Sequence, residues 1–158
     1  VVDEGYDANV VARPLAPSEW IVCASPKYLQ RTGTPLVPQD LAQREYLKYP
    51  RQQVGGTSSR RLGLRPLQGD GASVEVEMRE VLQSISFDVL CRATLDGVGI
   101  SILSRMLVSR YLASGELVHL LPDWIFGRLT VYGAVPSRKL IPARTRAFLA
   151  FASEHLTA

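Results

Sequence analysis

Short apolar runs, each cut off by glycine, proline or a Ser-Pro step, constrain this chain more than any other feature. Residues 20–24 (Trp-Ile-Val-Cys-Ala), 100–103 (Ile-Ser-Ile-Leu) and 129–135 are long enough for strands and too short for buried helices. The segments between them carry apolar residues at helical spacing. At 25–26, Ser-Pro supplies an N-cap followed by proline at the first helical position, where its missing N–H costs nothing. Tyr28 and Leu29 fill that helix, and Gly33 supplies its left-handed exit. Residues 38–41 start a further helical turn, and 46–49 read as a strand ended by Pro50. Gly55-Gly56 and Gly69-Asp70-Gly71 mark turns.

From Ser73 to Met78, Val74, Val76 and Met78 alternate with Glu75 and Glu77, the pattern of a half-exposed strand. Phe87, Leu90, Cys91 and Thr94 then recur at helical spacing behind Ser84 and Ser86, either of which can cap. Asp88 falls in the first turn, where negative charge suits the helix dipole. Gly97-Val98-Gly99 stops this helix and feeds the 100–103 strand. Met106, Leu107 and Tyr111 predict a helix closed by Gly115. Strands at 116–121 and 129–135 end at Pro122 and Pro136. Pro142 opens a last helix with Phe148, Phe151, Ala152 and His155 on one face. Strands alternating with helices predict an α/β fold with a largely parallel, helix-covered sheet.

Composition excludes several functions. The longest stretch free of Lys, Arg, Asp and Glu is nine residues, 129–137, whereas a bilayer helix needs roughly 20 apolar residues. The opening Val-Val-Asp-Glu-Gly-Tyr-Asp is acidic and does not read as a signal peptide. A net charge of +3 is too mild to mark a nucleic-acid binder. Arg60, Arg61 and Arg65 cluster beside a loose stretch, and Arg128, Arg138, Lys139, Arg144 and Arg146 lie in a segment without acids. Both read as solvated faces. Cys23 and Cys91 sit in apolar runs outside any CxxC pair, as reduced, buried thiols. His119 lies within a strand and His155 near the last helix's end, so packing or surface roles suit them better than acid–base work. GxSxG and P-loop motifs are missing. The Gly97-x-Gly99 pair has helix before strand, the reverse of a dinucleotide fingerprint. No enzyme, metal or cofactor is indicated.

Read in order, further pieces of the chain form a recognisable series. They are Asp3-Glu4-Gly5-Tyr6-Asp7, Val11-Ala12-Arg13-Pro14-Leu15-Ala16, and Cys23-Ala24-Ser25-Pro26-Lys27-Tyr28-Leu29. Gly33-Thr34-Pro35, Pro38-Gln39-Asp40-Leu41-Ala42 and Asp96-Gly97-Val98-Gly99-Ile100 follow. The series closes with Gly115-Glu116-Leu117-Val118, Leu121-Pro122-Asp123-Trp124, Val131-Tyr132, Val135-Pro136 and Arg146-Ala147-Phe148. It resembles the effector-binding domain of LysR-type transcriptional regulators over nearly the whole chain.

That resemblance implies a fold like the type 2 periplasmic binding proteins, with two α/β lobes and a small-molecule cleft between them. It places the second lobe, expected complete, at 19–117. Parts of the first lobe fall at 1–18 with the outgoing crossover and at 118–158 with the return crossover. The family's N-terminal winged helix-turn-helix, its linker helix and the opening of its first lobe have no counterpart here, so the chain is expected to be part of a longer regulator. A segment usual between Asp7 and Val11 is also short. The implied partners are a small-molecule effector, promoter DNA through the helix-turn-helix, and further copies in a homodimer or homotetramer, in the cytoplasm. The implied effector-binding residues are Ser84, Ile85, Ser86 and Phe87 at the entry to one helix, with Ser25 at the entry to another. Val11 stands where arginine is usual, which points to a neutral or weakly polar effector; Arg44 replaces a frequent histidine and Ile85 a frequent asparagine. A transporter's periplasmic solute-binding protein is the alternative, although the Ser-Pro-x-Tyr-Leu and Gly-Val-Gly-Ile order favours the regulator.

Overall fold

A computed structural model describes residues 11–50, 61–69, 71–135 and 141–156. The turn expected at Gly55-Gly56 lies outside these residues, as do Arg60, Asp70, Pro136, Arg138, Lys139 and the Asp3-to-Asp7 segment. Strand β1 spans Val11–Ala24 and leads into helix α1, Pro26–Thr32. A 3-10 turn follows at Pro38–Leu41, then β2 at Glu45–Lys48, β3 at Arg61–Pro66, β4 at Val74–Glu77 and β5 at Arg79–Gln83. Helix α2 (Phe87–Leu95), β6 (Ile100–Ser104), α3 (Arg105–Ala113) and β7 (Val118–Leu120) come next. The chain continues through β8 (Trp124–Ile125), β9 (Gly127–Val135) and α4 (Ala143–His155). Two compact units result: Glu19–Gly127, and Val1–Ser18 with Arg128–Ala158.

In the Glu19–Gly127 unit the strand order is β5-β2-β6-β1-β7. β2 is parallel to β5 and β6, and β1 is antiparallel to both β6 and β7. Four strands therefore share one direction and β1 alone opposes them. The expected largely parallel sheet is present, with a counter-running strand inside it. β9 also pairs with β1.

Every residue of β6 is buried, as suits a central strand covered on both sides. Alternation then sorts the side chains into two cores. Val22, Ala24, Ile100 and Ile102 pack with Tyr28 of α1 and with Leu41, Leu62, Leu64, Val76 and Met78. Ile21, Cys23 and Leu103 pack with Leu90 of α2 and Val108 of α3. Thr94 on α2 reaches the sheet through its hydroxyl, 2.7 Å from Ser101 Oγ and 2.7 Å from Leu90 O. The two buried hydroxyls thus satisfy each other.

Gly97 and Gly99 do the work expected of them. Gly97 has φ of 81°, the left-handed turn that releases the chain from α2. At Gly99 a Cβ would lie 2.7 Å from the backbone oxygen of Glu45, so only glycine lets β6 start this close to β2.

Several expectations shift. β3 was not expected: Arg61 and Arg65 belong to a strand in which they alternate with buried Leu62 and Leu64. Period-two alternation, not a loose loop, explains that cluster; Arg61 lies opposite Glu77 in the β3/β4 register and pairs diagonally with Glu75 at 3.5 Å. β4-β3-β8 form a separate small sheet. In α3 the anchor is Val108, while Leu107 is 59% exposed. In α4 the buried residue is Leu149, against which Gly133 of β9 has no room for a Cβ. Phe148 and Phe151 are 66% and 58% exposed, and Phe151 stacks on His155 at 3.8 Å. Their face is left uncovered among the described residues. Arg44 donates to the oxygens of Thr32, Gly33 and Asp40, each at 2.8 Å, and so closes the C-terminal end of α1. Cys23 is buried as expected, whereas Cys91 is half-buried. No described helix is long and apolar enough to cross a membrane.

Leu90 is fully buried against the sheet. Leu90→Ala is expected to cost about 2–5 kcal/mol in denaturant unfolding, and Gly99→Ala about 1–3 kcal/mol from overpacking. Either variant unfolding at the wild-type midpoint would contradict this packing.

Candidate functional site

The parallel strands β2, β5 and β6 end together, and their carboxyl ends are where ligands of such sheets gather. Tyr49 follows β2, Ser84 follows β5, and Ser104 ends β6 opposite Trp20 of β1. Ser84 N donates to Lys48 O at 3.1 Å, which ties the β5 exit to the β2 exit.

Ser84 and Ser86 build the entry to α2. Ser86 N donates to Ser84 Oγ at 3.1 Å. Ser86 is the N-cap: its Oγ accepts from Val89 N at 3.4 Å and its O from Leu90 N at 3.2 Å. Both expected capping serines are therefore used, one on the helix and one on the residue before it. A helix N-terminus presents N–H groups and partial positive charge, although Asp88 in the first turn offsets part of that field.

Phe87 is the hub of an aromatic wall. Its ring stacks on Tyr49 at 4.4 Å, with planes 6° apart, and meets Trp20 edge-on at 5.0 Å. Tyr49 remains 37% exposed, and Ile85 projects into solvent at 78%. Sequence reasoning missed Trp20 and Tyr49. The signal for both was positional: an aromatic at the first residue of an apolar run, and another between a strand and a proline.

Ser25 lies elsewhere. It follows Ala24, which pairs with Val118 at the start of β7, whereas Trp20 pairs with Ser104 at the end of β6. Because β1 runs against its neighbours, its exit is at the opposite end of the sheet from Ser84, Ser86 and Phe87. The Ser25 hydroxyl is buried without a hydrogen-bond partner among the described residues and does not cap α1, although the residue holds the N-cap position. The structure thus brings Ser84, Ile85, Ser86 and Phe87 together and leaves Ser25 apart.

A hollow of about 550 Å³ along α2 and α3 reaches both places, since Ser25 and Phe87 each line it, with Cys91, Leu95, Leu103 and Tyr111. Ser84, Ile85 and Ser86 do not line it. Burial pushes the Cys23 thiol up to about 12 and raises the Cys91 thiol too, which leaves both poor nucleophiles. Among the described residues no group of three His, Cys, Asp or Glu side chains is placed to hold a metal.

Comparison with known proteins gives a consistent result. The family model for the LysR substrate binding domain matches residues 1–157. The HTH-type transcriptional regulator PtxR of Pseudomonas aeruginosa is 32% identical over 150 residues, which cover 95% of this chain and 46% of that protein. The uncharacterized HTH-type transcriptional regulator YhjC of Escherichia coli is 31% identical over 145 residues, covering 89% of this chain and 46% of its own. The CrgA regulatory domain, from a LysR-type transcriptional regulator of Neisseria meningitidis, superposes with a TM-score of 0.75 at 29% identity, covering 96% of this chain and 72% of that one. The chain spans about half the length of the curated relatives it matches. These relatives are transcriptional regulators, so the solute-binding alternative is set aside.

Removing the α2 cap tests the local geometry. Ser86→Ala is expected to lose about 1 kcal/mol of stability, read by thermal or urea unfolding. No loss would mean that the long Ser86–Val89 contact contributes nothing.

Proposed function

Since the chain belongs to the LysR substrate binding domain family, we propose that it is the effector-sensing part of a bacterial transcription factor. The observation that carries the site is the Trp20–Phe87–Tyr49 wall beside the α2 N-terminus, at the carboxyl ends of the parallel strands. The wall offers flat apolar surface, and Ser84 and Ser86 offer hydroxyls. No Lys or Arg occupies the Ser84–Phe87 entry, and Asp88 adds negative charge. These features support a neutral or weakly polar, planar effector over a carboxylate. Ser84, Ser86 and Phe87 remain the proposed contacts, with Trp20 and Tyr49 added. Ile85 lies on the rim, and Ser25 is not part of this site.

Effector binding regulates DNA only if it favours one arrangement of the protein over another. DNA contact is assigned to a helix-turn-helix elsewhere in the full regulator, in keeping with the net charge of +3 here. The regulator works in the cytoplasm as a homodimer or homotetramer. β5 supports assembly: it ends the sheet, and Val81 on it and Val89 on α2 are exposed apolar residues beside Ile85.

The test is a thermal-shift screen of small neutral aromatic and aliphatic metabolites, followed by calorimetric titration of any that bind. Phe87→Ala and Ser86→Ala are expected to weaken binding about tenfold each, or about 1.4 kcal/mol. Unchanged affinity in both variants, with the fold retained by circular dichroism, would move the site elsewhere.

A further inference from the structure

Next to the aromatic wall, three charged or titratable side chains meet on the α2/α3 side of the sheet. Glu19 lies in β1 just before Trp20, Arg105 is the first residue of α3 just after Ser104, and His119 lies in β7. Arg105 Nη2 is 3.1 Å from His119 Nδ1, and Arg105 Nε is 3.3 Å from Glu19 Oε2. A guanidinium can only donate. His119 Nδ1 must therefore accept, which requires the neutral ring carrying its proton on Nε2. His119 Nε2 is itself buried without a hydrogen-bond partner among the described residues.

A second proton has only one place to go, onto Nδ1. There it would set N–H against N–H and positive charge against positive charge at hydrogen-bond distance. The Arg105–His119 contact can exist only while the ring is neutral. Among the described residues, the charged and titratable groups facing the ring are Arg105 from α3, and Glu19 and Cys23 from β1. Cys23 lies opposite His119 in the strand register, and its thiol, pushed up to about 12 by burial, stays protonated across the neutral range. Burial and then Arg105 lower the His119 pKa from its usual 6.5, with Glu19 opposing.

We propose that Glu19, Arg105 and His119 form an acid-released latch, in which protonation of His119 expels the Arg105 guanidinium and loosens β1 beside Trp20. The latch adjoins the aromatic wall through the backbone: Trp20 follows Glu19, pairs with Ser104, and touches Phe87 with its ring. Acid thus changes the wall from behind. Only the consequence for effector affinity rests on the function proposed above; the latch itself does not.

The direction of the effect on stability follows from linkage. A histidine whose folded pKa lies below its unfolded value binds fewer protons when folded. Its contribution is fully present above 6.5 and is lost as pH falls from there through the lowered folded value. His119→Gln, which cannot be protonated, removes that part of the pH dependence.

The experiment is nitrogen-15 NMR of the histidine rings in the ligand-free protein. His119 and His155 are the two histidines, so His155→Gln assigns the signals. At neutral pH His119 is expected as the Nε2–H tautomer, with a titration midpoint below 6.5. Arg105→Gln keeps an N–H donor and removes the charge, and should move the midpoint upward. With Trp124→Phe leaving Trp20 as the sole tryptophan, Trp20 emission should change over the same pH interval, and His119→Gln should abolish that change. An Nδ1–H tautomer, a midpoint indifferent to Arg105→Gln in a folded variant, or Trp20 emission flat across the His119 titration would each overturn the latch. All of these are read without effector, so their failure is separable from failure of the effector site.

Discussion

β1 runs against the strands on both sides of it, and much else depends on that arrangement. Ile21, Val22, Cys23 and Ala24 are completely buried, and β6 and β7 each pair with this strand, which lies between them in the sheet. Parallel neighbours joined by helices could form a sheet alone. Here the strand entering from the other unit is wedged among them, facing α1 with Val22 and Ala24 and facing α2 and α3 with Ile21 and Cys23. Its direction puts Trp20 and Ser25 at opposite ends of the sheet. It therefore separates two helix entries that look equivalent in sequence, and only the α2 entry shares an end with Tyr49 and Trp20.

The contrast between those entries is physical. At α2, Ser86 Oγ accepts a backbone N–H and Ser84 Oγ accepts the N–H of Ser86. At α1, Pro26 has no N–H to offer, and the Ser25 hydroxyl is buried without a partner among the described residues. Tyr28 N and Leu29 N instead bond to Ser25 O. A Ser-Pro step starts a helix by fixing its geometry and removing a donor, whereas a Ser-x-Ser step does so by hydrogen bonding.

Several polar side chains also brace neighbouring elements near the surface. Glu45 accepts from Tyr28 OH at 2.7 Å and pairs with Arg79, which joins α1, β2 and β5. The Tyr28 hydroxyl and Arg79 hold the Glu45 carboxyl below its ordinary value. Lys48 pairs with Glu80 at 3.1 Å across the β2/β5 pair. At Leu121, just before Pro122, the backbone takes φ of 52° although the residue is neither Gly nor Asn. That strained turn leads from β7 into Leu121-Pro122-Asp123 and β8, where Trp124 N bonds back to Leu121 O at 2.8 Å.

Local chemistry made much of the fold legible. Apolar runs of strand length, the Ser-Pro step, the Gly97/Gly99 stop and the Val74/Val76/Met78 alternation each depend on neighbours in the chain, and each element is present, most with ends shifted by a residue or two, although the strand expected from Trp20 already begins at Val11. The entry to α2 was legible for the same reason, since Ser84, Ser86 and Asp88 act within one turn. What sequence could not reveal depends on residues far apart. Arg61 and Arg65 looked like loop charges because the leucines between them find their core only against β4 and the main sheet. Phe148 and Phe151 share a face of α4 as their spacing states and stay exposed, whereas Leu149, which the spacing did not single out, is the residue of α4 that packs on β9. Likewise, no local pattern states which way β1 runs. That choice alone made Trp20 and Tyr49 into a wall around Phe87, placed Arg105 between Glu19 and His119, and sent Ser25 to the far end. Sequence by itself determined where α1, α2, β4 and β6 start and stop to within about a residue or two, because caps, turns and periodicity are short-range. The tertiary structure decided which of those ends meet, because strand direction and pairing are settled by burial over the whole sheet.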